Sequence, residues 1–299
     1  MNLSKSPFFS VIIPCYNIVD IIGPTLETLV SQTFTDFEII FVNDGSIDST
    51  LNTLTDFQLK IKNQVTIINQ ENKGLGAARN SGIKVSNGKY IALLDADDTW
   101  ASNKLSILFE FINLNNKFDL YCHNEFTVTQ NGVFIKNNVY GPFTSFEDLF
   151  YKGNCLSPSA VVLNNNVFKI VGYFSEDRDF HGVEDYDFWL RVSLNNLKIS
   201  YIPDYLGYYV IHNNNMSTSL NFFDNEEKLL LSYVIRFNTV ILNDKLRIKK
   251  RFLLFYSSKL YHYIRRGNFS FLTNYFKDTF KILFCFDIFL LNKKIKLFN

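Results

Sequence analysis

Cysteine is scarce in this chain, and the spacing of the few cysteines excludes two common uses of the residue. The 299 residues include four cysteines, which lie far apart and form no Cys-x-x-Cys pair. A disulfide framework or a structural zinc site would need paired cysteines at shorter spacings. We therefore predict reduced and mostly buried thiols. The four are Cys15, Cys122, Cys155 and Cys285.

Long hydrophobic runs are also missing. The longest apolar run in the last quarter of the chain, from Ile282 to Leu291, includes Asp287. It is too short to cross a bilayer, which takes ~20 residues. No basic and apolar leader precedes the first strand-like run, which argues against secretion and for a cytoplasmic protein. A chain of this length can bury a large core as one extended α/β domain with an appendage.

The formal net charge of +1 hides an uneven distribution of charge. Residues 1–224 carry 15 lysines and arginines against 24 aspartates and glutamates, whereas residues 225–299 carry 15 against 5. We therefore predict a domain of residues 1–224 and a basic, aromatic-rich helical appendage of residues 225–299. Its interleaved aromatic residues favour an anionic membrane surface over nucleic acid as the partner, with peripheral attachment to the inner face of the membrane. The alternative is an appendage whose aromatics pack on the first domain and whose lysines face water.

Three carboxylates follow directly on an apolar run in the first domain. Tyr90–Leu94 is typical of a buried strand, and Asp95-Ala-Asp97-Asp98 comes immediately after it. In an open α/β sheet, ligands bind where the carboxyl ends of strands meet loops. Acids at this place can hold a divalent ion against a phosphate. A solvated turn is the alternative, because aspartate favours turns.

Two earlier segments repeat the arrangement of a short apolar run that ends at polar residues. Phe9–Ile13 runs into Pro14-Cys-Tyr-Asn17, and Glu38–Val42 runs into Asn43-Asp-Gly-Ser46. Helical spacing follows each of them, which predicts βαβ alternation and a largely parallel sheet. Three strand ends would then deliver polar groups to one edge of that sheet.

Such an edge suits a nucleotide. Tyr16 could lie on a base, and Asp44 could accept a hydrogen bond from a ring or ribose donor. Beyond it, residues 120–128 and 133–135 predict a hairpin, and Ser159–Leu163 is a further strand candidate. From about residue 222 onward, helix is predicted to dominate.

The five polar segments of this chain match the motifs of a known family in the family's order. From residue 9 to about 217, about two thirds of its length, the chain resembles the inverting family 2 glycosyltransferases of the GT-A fold, of bacterial surface-glycan type. The resemblance implies a nucleotide-sugar donor, usually a UDP-sugar, a Mn²⁺ or Mg²⁺ cofactor, and single displacement at the anomeric carbon. It also implies a glycan or lipid-linked acceptor. The segments are Ser10–Asn17, Asn43–Ser46, Asn72–Gly82, Leu94–Asp98 and Gly182–Arg191.

The resemblance implies two catalytic acids at the start of a helix. Asp185 would be the general base that takes a proton from the acceptor hydroxyl. Its neighbour Glu184 would bind or orient the acceptor. The helix dipole favours an ionised carboxylate there, although acidic capping residues are the alternative interpretation. Asp187 is expected to be a solvent-exposed or capping group.

Metal binding is implied for Asp97, with Asp95 directed toward the ribose and the metal-bound waters. His212 is a second candidate metal ligand, because many family members carry a histidine near the metal or the diphosphate. An arginine commonly stands two residues before that histidine, and here the position is Val210. An ordinary hydrogen-bonded histidine is therefore the alternative.

The glycine-rich segment around Gly74 admits two interpretations. Gly74-Leu-Gly76 after a strand is the layout of a dinucleotide-binding fingerprint, but Arg79 stands where a third glycine would allow close packing. In the resembled family the two glycines allow close approach to the donor, Arg79 and Asn80 lie near the nucleotide, and Lys73 contacts the diphosphate. The set expected to bind the nucleotide-sugar is Pro14, Tyr16, Asn17, Asp44, Lys73, Gly74, Arg79, Asn80 and Asp95.

Two functions outside sugar transfer stay open at this point. A nucleotidyltransferase also uses strand-end carboxylates and a metal, but it should carry a glycine-rich, basic loop after the first strand, and Asn17–Ile22 is neither. A non-catalytic nucleotide-binding or scaffold protein of the same fold would be expected to have lost Asp97 or Asp185. The Gln-x-x-Arg-Trp element of processive synthases is absent from the sequence, which favours addition of a single sugar.

Overall fold

The chain divides into two compact units, and both are discontinuous in sequence. Composition placed the boundary at residue 224, whereas the second unit also includes two segments from before that residue. The first unit consists of residues 1–144, 155–176 and 184–213, and the second of residues 145–154, 177–183 and 214–299. The computed structural model describes residues 6–143, 145–212, 215, 216, 220–237, 244–265, 267, 272–284 and 286.

Four parallel strands with helices between them form the first part of a sheet in the first unit. In chain order these elements are β1 Phe9–Cys15, α1 Gly23–Val30, β2 Phe37–Asp44, α2 Thr50–Gln58, β3 Val65–Gln70, α3 Leu75–Val85 and β4 Tyr90–Leu93. The strands lie in the order β3-β2-β1-β4. The predicted βαβ alternation is therefore confirmed.

The rest of the sheet is mixed. The next elements, of which α5 belongs to the second unit, are β5 Thr99–Trp100, α4 Lys104–Leu114, β6 Leu120–Thr129, β7 Phe134–Asn138, α5 Phe146–Lys152, β8 Val161–Asn164, α6 Val167–Val171, α7 Glu184–Leu194 and β9 Ile199–Ile211. The strand order continues β4-β8-β6-β9-β5, with β7 paired to β6. The predicted hairpin is confirmed as β6 and β7. The strand predicted from Ser159 begins at Val161, because a 3₁₀ turn occupies residues 158–160.

The central strands of the sheet are buried along their whole length. Every residue of β1 and β2 is buried, which is typical of parallel strands with both faces covered. Their apolar residues therefore specify the layer, and polar residues are left to the strand ends. The carboxyl ends of β1, β2 and β4 meet at one edge, where Tyr16, Asp44 and Asp95 lie.

A buried polar network holds the chain where it enters β4. Ser10 Oγ donates to Glu38 Oε1 at 2.6 Å, and the backbone N–H of Asn87 donates to the same oxygen at 2.7 Å. The backbone N–H of Gly88 donates to Ser10 Oγ at 2.8 Å. These bonds satisfy polar groups that would otherwise be costly to bury. The network therefore joins β1 and β2 to the residues that lead into β4.

Helices make up the described part of the second unit. α8 Leu220–Phe237, α9 Lys245–Arg265 and α10 Leu272–Phe284 join α5 there. The prediction that helix dominates from about residue 222 is confirmed for the residues that are described. The part of the apolar run beyond residue 286 lies outside them.

Two of the basic residues in this unit are buried in ion pairs. Arg251 of α9 pairs with Glu226 at 2.9 Å. Lys259 Nζ lies 2.7 Å from the carboxylate of Asp224 and 3.1 Å from that of Glu227. Buried charges are tolerated when they are paired in this way. These two residues therefore support the packing of the unit and do not face a partner.

The aromatic residues of the unit divide between the interior and the surface. Phe252, Phe255 and Tyr256 of α9 are buried, whereas Phe276 and Phe280 of α10 are exposed. None of the helices in the described ranges is both long enough and apolar enough to span a bilayer. Within the unit, the hydroxyl of Tyr256 donates to Glu227 of α8 at 2.7 Å. These three aromatics of α9 therefore do not face solvent, and the exposed ones of α10 leave a partner surface open.

We predict that Gly88→Ala destabilises the first unit by about 1–3 kcal/mol, the usual cost of overpacking. A Cβ atom at Gly88 would lie 2.5 Å from the backbone nitrogen of Ser10, so β1 and the entry to β4 would have to separate. Gly23→Ala is the matched control, because nothing lies within 4 Å of its added Cβ. Thermal unfolding followed by circular dichroism measures both. Equal unfolding temperatures for the two variants would contradict the prediction.

Candidate active site

The loops after β1 and β2 are tied together by an asparagine in an uncommon conformation. Asn17 has a φ of 50°, in the left-handed region that asparagine tolerates better than most residues. Its side-chain oxygen accepts from the backbone N–H of Ile47 at 2.9 Å, and its own N–H donates to Ser46 Oγ at 3.0 Å. Tyr16 is 49% exposed beside it. The tyrosine ring is thus available at the edge of the sheet, on a fixed loop.

Pro14 lies in β1 at a point where it costs the sheet little. It pairs with Val42 of β2, but the pairing between β1 and β4 ends at Ile12 and Leu93. Proline lacks a backbone N–H and is tolerated where a strand has no partner on that side. The residue therefore marks the place where β1 leaves β4 and the edge of the site opens.

The side-chain carboxylate of Asp44 holds the glycine-rich loop by accepting hydrogen bonds from backbone N–H groups of the loop. One carboxylate oxygen accepts from Gln70 Nε2 at 2.7 Å and from the N–H of Lys73 at 2.9 Å, and the other accepts from the N–H of Gly74 at 2.8 Å. Gly74 has a φ of 91°, which favours glycine. Asp44 was expected to accept a hydrogen bond from the nucleotide, and these three bonds leave only about one of the carboxylate's lone pairs for it.

The N-terminus of α3 follows directly on this loop. Lys73 is exposed, and Gly74 caps the helix. A helix N-terminus presents unpaired N–H groups and a partial positive charge, which suit a phosphate. The lysine side chain and the helix end therefore offer positive charge at the same edge as Tyr16.

Arg79 bridges two parts of the site that are far apart in sequence. Its Nη2 lies 2.7 Å from Asp95 and its Nη1 lies 2.8 Å from Glu184. The side chain is only 1% exposed. Burial alone would lower the pKa of the guanidinium, but the charges of Asp95, Glu184 and Asp185 raise it above its ordinary value. Arg79 thus carries a permanent positive charge between the strand-end acids and the start of α7.

The acid that Arg79 contacts at the strand end is itself perturbed. Burial raises the pKa of the Asp95 carboxyl, Arg79 opposes that rise, and the charge of Asp97 adds to it. Its backbone N–H donates to Ser159 Oγ at 3.1 Å. Asp95 is therefore held from both its side chain and its backbone, in the place expected for a group that meets the ribose.

Asp97 and His212 lie together, as the sequence analysis anticipated. His212 Nε2 is 2.7 Å from Asp97 Oδ2, although the two residues are 115 positions apart. A carboxylate oxygen suits Mn²⁺ and Mg²⁺, and an imidazole nitrogen is a common ligand of first-row transition metals. Within the described ranges no group of three or more such side chains forms a closed metal cage. The two side chains hydrogen-bond to each other, and together they could supply two ligands to a metal whose other ligands come from substrate and water.

Ser159 braces the third acid of the loop, and the sequence analysis gave this residue no role in the site. Its Oγ donates to Asp98 Oδ2 at 2.6 Å, and its carbonyl accepts from Lys104 Nζ at 2.6 Å. The other Asp98 oxygen accepts from the N–H of Val210 at 3.0 Å. Burial raises the pKa of Asp98 and lowers that of Lys104. Asp98 therefore positions the loop, while Asp95 and Asp97 remain partly exposed.

Glu125 is a further buried acid behind this loop. Burial raises the pKa of its carboxyl to about 7, against the opposing charge of Lys104. Tyr140 donates to Glu125 Oε2 at 2.9 Å. No local pattern in the sequence marks it, because an acid inside a strand of alternating residues is usually a solvent-facing position.

Glu184 and Asp185 begin helix α7, as predicted, and both are buried. Asp185 Oδ1 accepts from the backbone N–H of Tyr186 at 2.6 Å. Charge at a helix N-terminus is favoured by the helix dipole. The expectation for Asp187 was wrong: it is buried and pairs with Arg191 at 2.8 Å. That ion pair joins positions one helical turn apart, so Asp187 secures the helix.

Asn80 and Gly76 hold α3 against the segment that precedes α7. The amide nitrogen of Asn80 donates to the carbonyl of Phe174 at 2.9 Å and to Glu176 at 2.8 Å, and its oxygen accepts from the N–H of Phe174 at 3.0 Å. A Cβ atom at Gly76 would lie 2.2 Å from the carbonyl oxygen of Ser175. Both amide protons of Asn80 are used in its bonds to Phe174 and Glu176, so a donated hydrogen bond from its side chain to a nucleotide would require one of these bonds to break.

Comparisons with known proteins agree on one family. The model of the family described as glycosyl transferase family 2 matches residues 10–174, more than half of the chain. A relative from Escherichia coli, the UDP-Glc:alpha-D-GlcNAc-diphosphoundecaprenol beta-1,3-glucosyltransferase WfaP, is 29% identical over 218 residues. The aligned region covers 70% of this chain and 80% of WfaP.

Two solved structures share the fold. S. aureus TarS 1-349 in complex with UDP-GlcNAc superposes with a TM-score of 0.68 at 22% identity, over 92% of this chain and 81% of TarS. The mannosyltransferase PcManGT from Pyrobaculum calidifontis, in complex with GDP-Man and Mn²⁺, has a TM-score of 0.61 at 15% identity, over 99% of this chain and 88% of its own. The predicted GT-A fold with a C-terminal helical region is thereby confirmed.

We predict that Asp97→Asn weakens Mn²⁺ binding at least tenfold and leaves the fold intact, because this acid lies in a loop and is not part of the core. A tenfold loss corresponds to about 1.4 kcal/mol. Mn²⁺ binding is measured by electron paramagnetic resonance with UDP present, and unfolding temperature is the check on folding. Asp56→Asn, an exposed acid on α2, is the control. Unchanged Mn²⁺ affinity in Asp97→Asn would remove this residue from the metal site.

Proposed function

The chain belongs to glycosyl transferase family 2 and is a glycosyltransferase, and from that premise we propose that it is an inverting, metal-dependent enzyme. It would transfer one sugar from a UDP-sugar to a hydroxyl of a glycan or lipid-linked acceptor. The observation that carries the proposal is the bridge by Arg79 from Asp95 to Glu184, at 2.7 and 2.8 Å. It supports the proposal because it links an acid proposed for the donor site to an acid proposed to serve the acceptor.

The donor would lie along the edge formed by β1, β2 and β4. Tyr16 is exposed there and would stack on the base. Lys73 and the N-terminus of α3 would meet the diphosphate, and Asp95 would meet the ribose. A uridine nucleotide is supported by the UDP-glucose of WfaP and the UDP-GlcNAc bound by TarS. A nucleotidyltransferase finds no support in the family match.

Asp97 and His212 are the residues that would hold Mn²⁺ or Mg²⁺. The proposal is supported by the 2.7 Å distance between His212 Nε2 and Asp97 Oδ2 and by the Mn²⁺ in PcManGT, a structure of the same fold. A divalent cation there would supply positive charge for the departing nucleoside diphosphate. Asp98, Ser159 and Lys104 would keep the loop rigid, so that Asp97 needs no rearrangement when its ligand arrives.

Asp185 is proposed as the general base. It would accept the proton of the acceptor hydroxyl as that oxygen attacks the anomeric carbon from the face opposite the nucleotide, so that the configuration inverts. Its place at the start of α7, where the helix dipole favours negative charge, and its interaction with the charge of Arg79 support this role. Glu184, fixed by Arg79, would orient the acceptor.

No covalent enzyme intermediate belongs to this mechanism. Cys15 is the last residue of β1 and directly precedes Tyr16 of the proposed donor edge. Burial raises the pKa of its thiol above the ordinary value. A buried, protonated thiol is a poor nucleophile. The acids described above therefore account for the proposed chemistry without an attacking side chain.

The acceptor is proposed to be a saccharide on a lipid carrier. WfaP acts on a GlcNAc-diphosphoundecaprenol acceptor, by its name, and it aligns with 70% of this chain. We accordingly propose that the protein works at the cytoplasmic face of a membrane, where both a UDP-sugar and such an acceptor would be available.

We predict that Asp185→Asn lowers sugar transfer by about 10²–10⁴-fold, the usual contribution of a general base. Affinity for the UDP-sugar should stay within about twofold, because the base acts on the acceptor. Transfer is followed by UDP release with a GlcNAc-diphosphate lipid acceptor, and affinity by calorimetry. Asp204→Asn, an exposed acid in the first unit, is the control. A parallel collapse of affinity and turnover would place Asp185 in the donor site.

A further inference from the structure

Helix α10 carries a row of exposed apolar side chains on one face. Phe276 is 64% exposed, Phe280 60%, Leu283 47% and Phe284 71%. Their spacing of four, three and one residues places them on one side of a helix. We call these four residues the apolar stripe of α10. Scattered single apolar residues are normal on a protein surface, whereas a contiguous row of large ones marks an interaction site.

The opposite face of α10 is held by the protein. Ile282 is buried, and Asp278 accepts a hydrogen bond from Tyr256 of α9 at 3.5 Å. Phe286, just beyond the helix, is buried and lies 5.5 Å from Lys249 Nζ in a cation–π contact. One face of the helix is thus occupied by packing within the unit, and the apolar stripe lies on another face. The stripe has no such role inside the described part of the unit.

Positive charge borders the stripe. Lys277 is exposed and Lys281 half-buried, and both follow stripe residues by one position, which places them on one flank of the row. Asp278, the acid of this helix, faces Tyr256 of α9. The segment from residue 225 to 299 has 15 basic against 5 acidic residues. Rings flanked by lysines fit an anionic lipid surface, because the rings enter the interface while lysines meet the head groups.

We propose that the apolar stripe of α10 docks this protein on an anionic membrane, with Lys277 and Lys281 against the lipid head groups. The proposal rests on the proposed function to the extent that a lipid-linked acceptor requires the enzyme to reach a membrane. Two other occupants of the stripe are possible, namely residues 287–299 and a second copy of the chain. The positive charge of Lys277 and Lys281 favours an anionic lipid surface over both. Like charges would oppose either, because residues 287–299 carry three lysines against one acid, and a second copy would bring the same two lysines.

The test uses the full chain and two kinds of vesicle. One is phosphatidylcholine alone, and the other contains phosphatidylglycerol as ~30% of the lipid, which gives a clear negative surface potential. Co-sedimentation should show at least tenfold tighter binding to the anionic vesicles, weakened by added salt. Phe276→Ser with Phe280→Ser should reduce that binding at least tenfold. Phe134→Ser, a comparably exposed phenylalanine on β7, is the matched control and should bind like the unaltered chain.

A second variant separates charge from apolar contact. Lys277→Glu with Lys281→Glu leaves every ring in place and should also reduce binding to anionic vesicles. Equal unfolding temperatures for all variants establish that they are folded. The rate at which each variant hydrolyses the UDP-sugar without lipid should equal that of the unaltered chain. Absence of hydrolysis in the unaltered chain would contradict the proposed function, whereas absence of co-sedimentation would contradict the docking proposal.

Three outcomes would overturn the docking proposal. Equal binding to neutral and anionic vesicles would remove the role of charge. A dimer in light scattering that the serine variant disrupts would make a second copy the occupant. Absence of vesicle binding by a monomeric chain would remove the membrane as the partner of the stripe.

Discussion

The buried guanidinium of Arg79 is the constraint on which the rest of the site depends. Asp95, Glu184 and Asp185 would repel one another if they converged without a cation, and burial raises the pKa of the Asp95 carboxyl. Arg79 balances this charge from a place that water does not reach. Removing one partner of a buried ion pair commonly costs about 3–5 kcal/mol, because the remaining charges are left uncompensated. The same side chain therefore holds Asp95 and Glu184 in place and offsets their charge.

Helix α3 carries Arg79 and organises most of its surroundings. Its N-terminus is held by Asp44 through the N–H groups of the glycine-rich loop. Asn80, one position after Arg79, forms two hydrogen bonds with the backbone of Phe174. One short helix thus connects the ends of β2 and β4 with the start of α7. A site that must align a donor with an acceptor gains from such a rigid connection, since small misplacements are costly in catalysis.

The second unit shows that one composition can serve two purposes. Arg251 and Lys259 form buried ion pairs with acids of α8, whereas Lys277 of α10 is exposed. Its aromatic residues divide in the same way. The +10 charge balance of residues 225–299 is therefore an upper bound on what a partner can meet.

The amino-acid sequence by itself determined the βαβ alternation, the strand-end acids and the helix that starts at Glu184, because periodicity and capping are local properties of the chain. The family motifs also located Arg79, Asp97 and Asp185. Only the tertiary structure decided which groups these residues meet. Asp98 joins Ser159 across 61 positions and Arg79 joins Glu184 across 105, and no local pattern encodes such pairs. They arise because the sheet order brings distant segments to one edge, where burial makes each polar group find a partner.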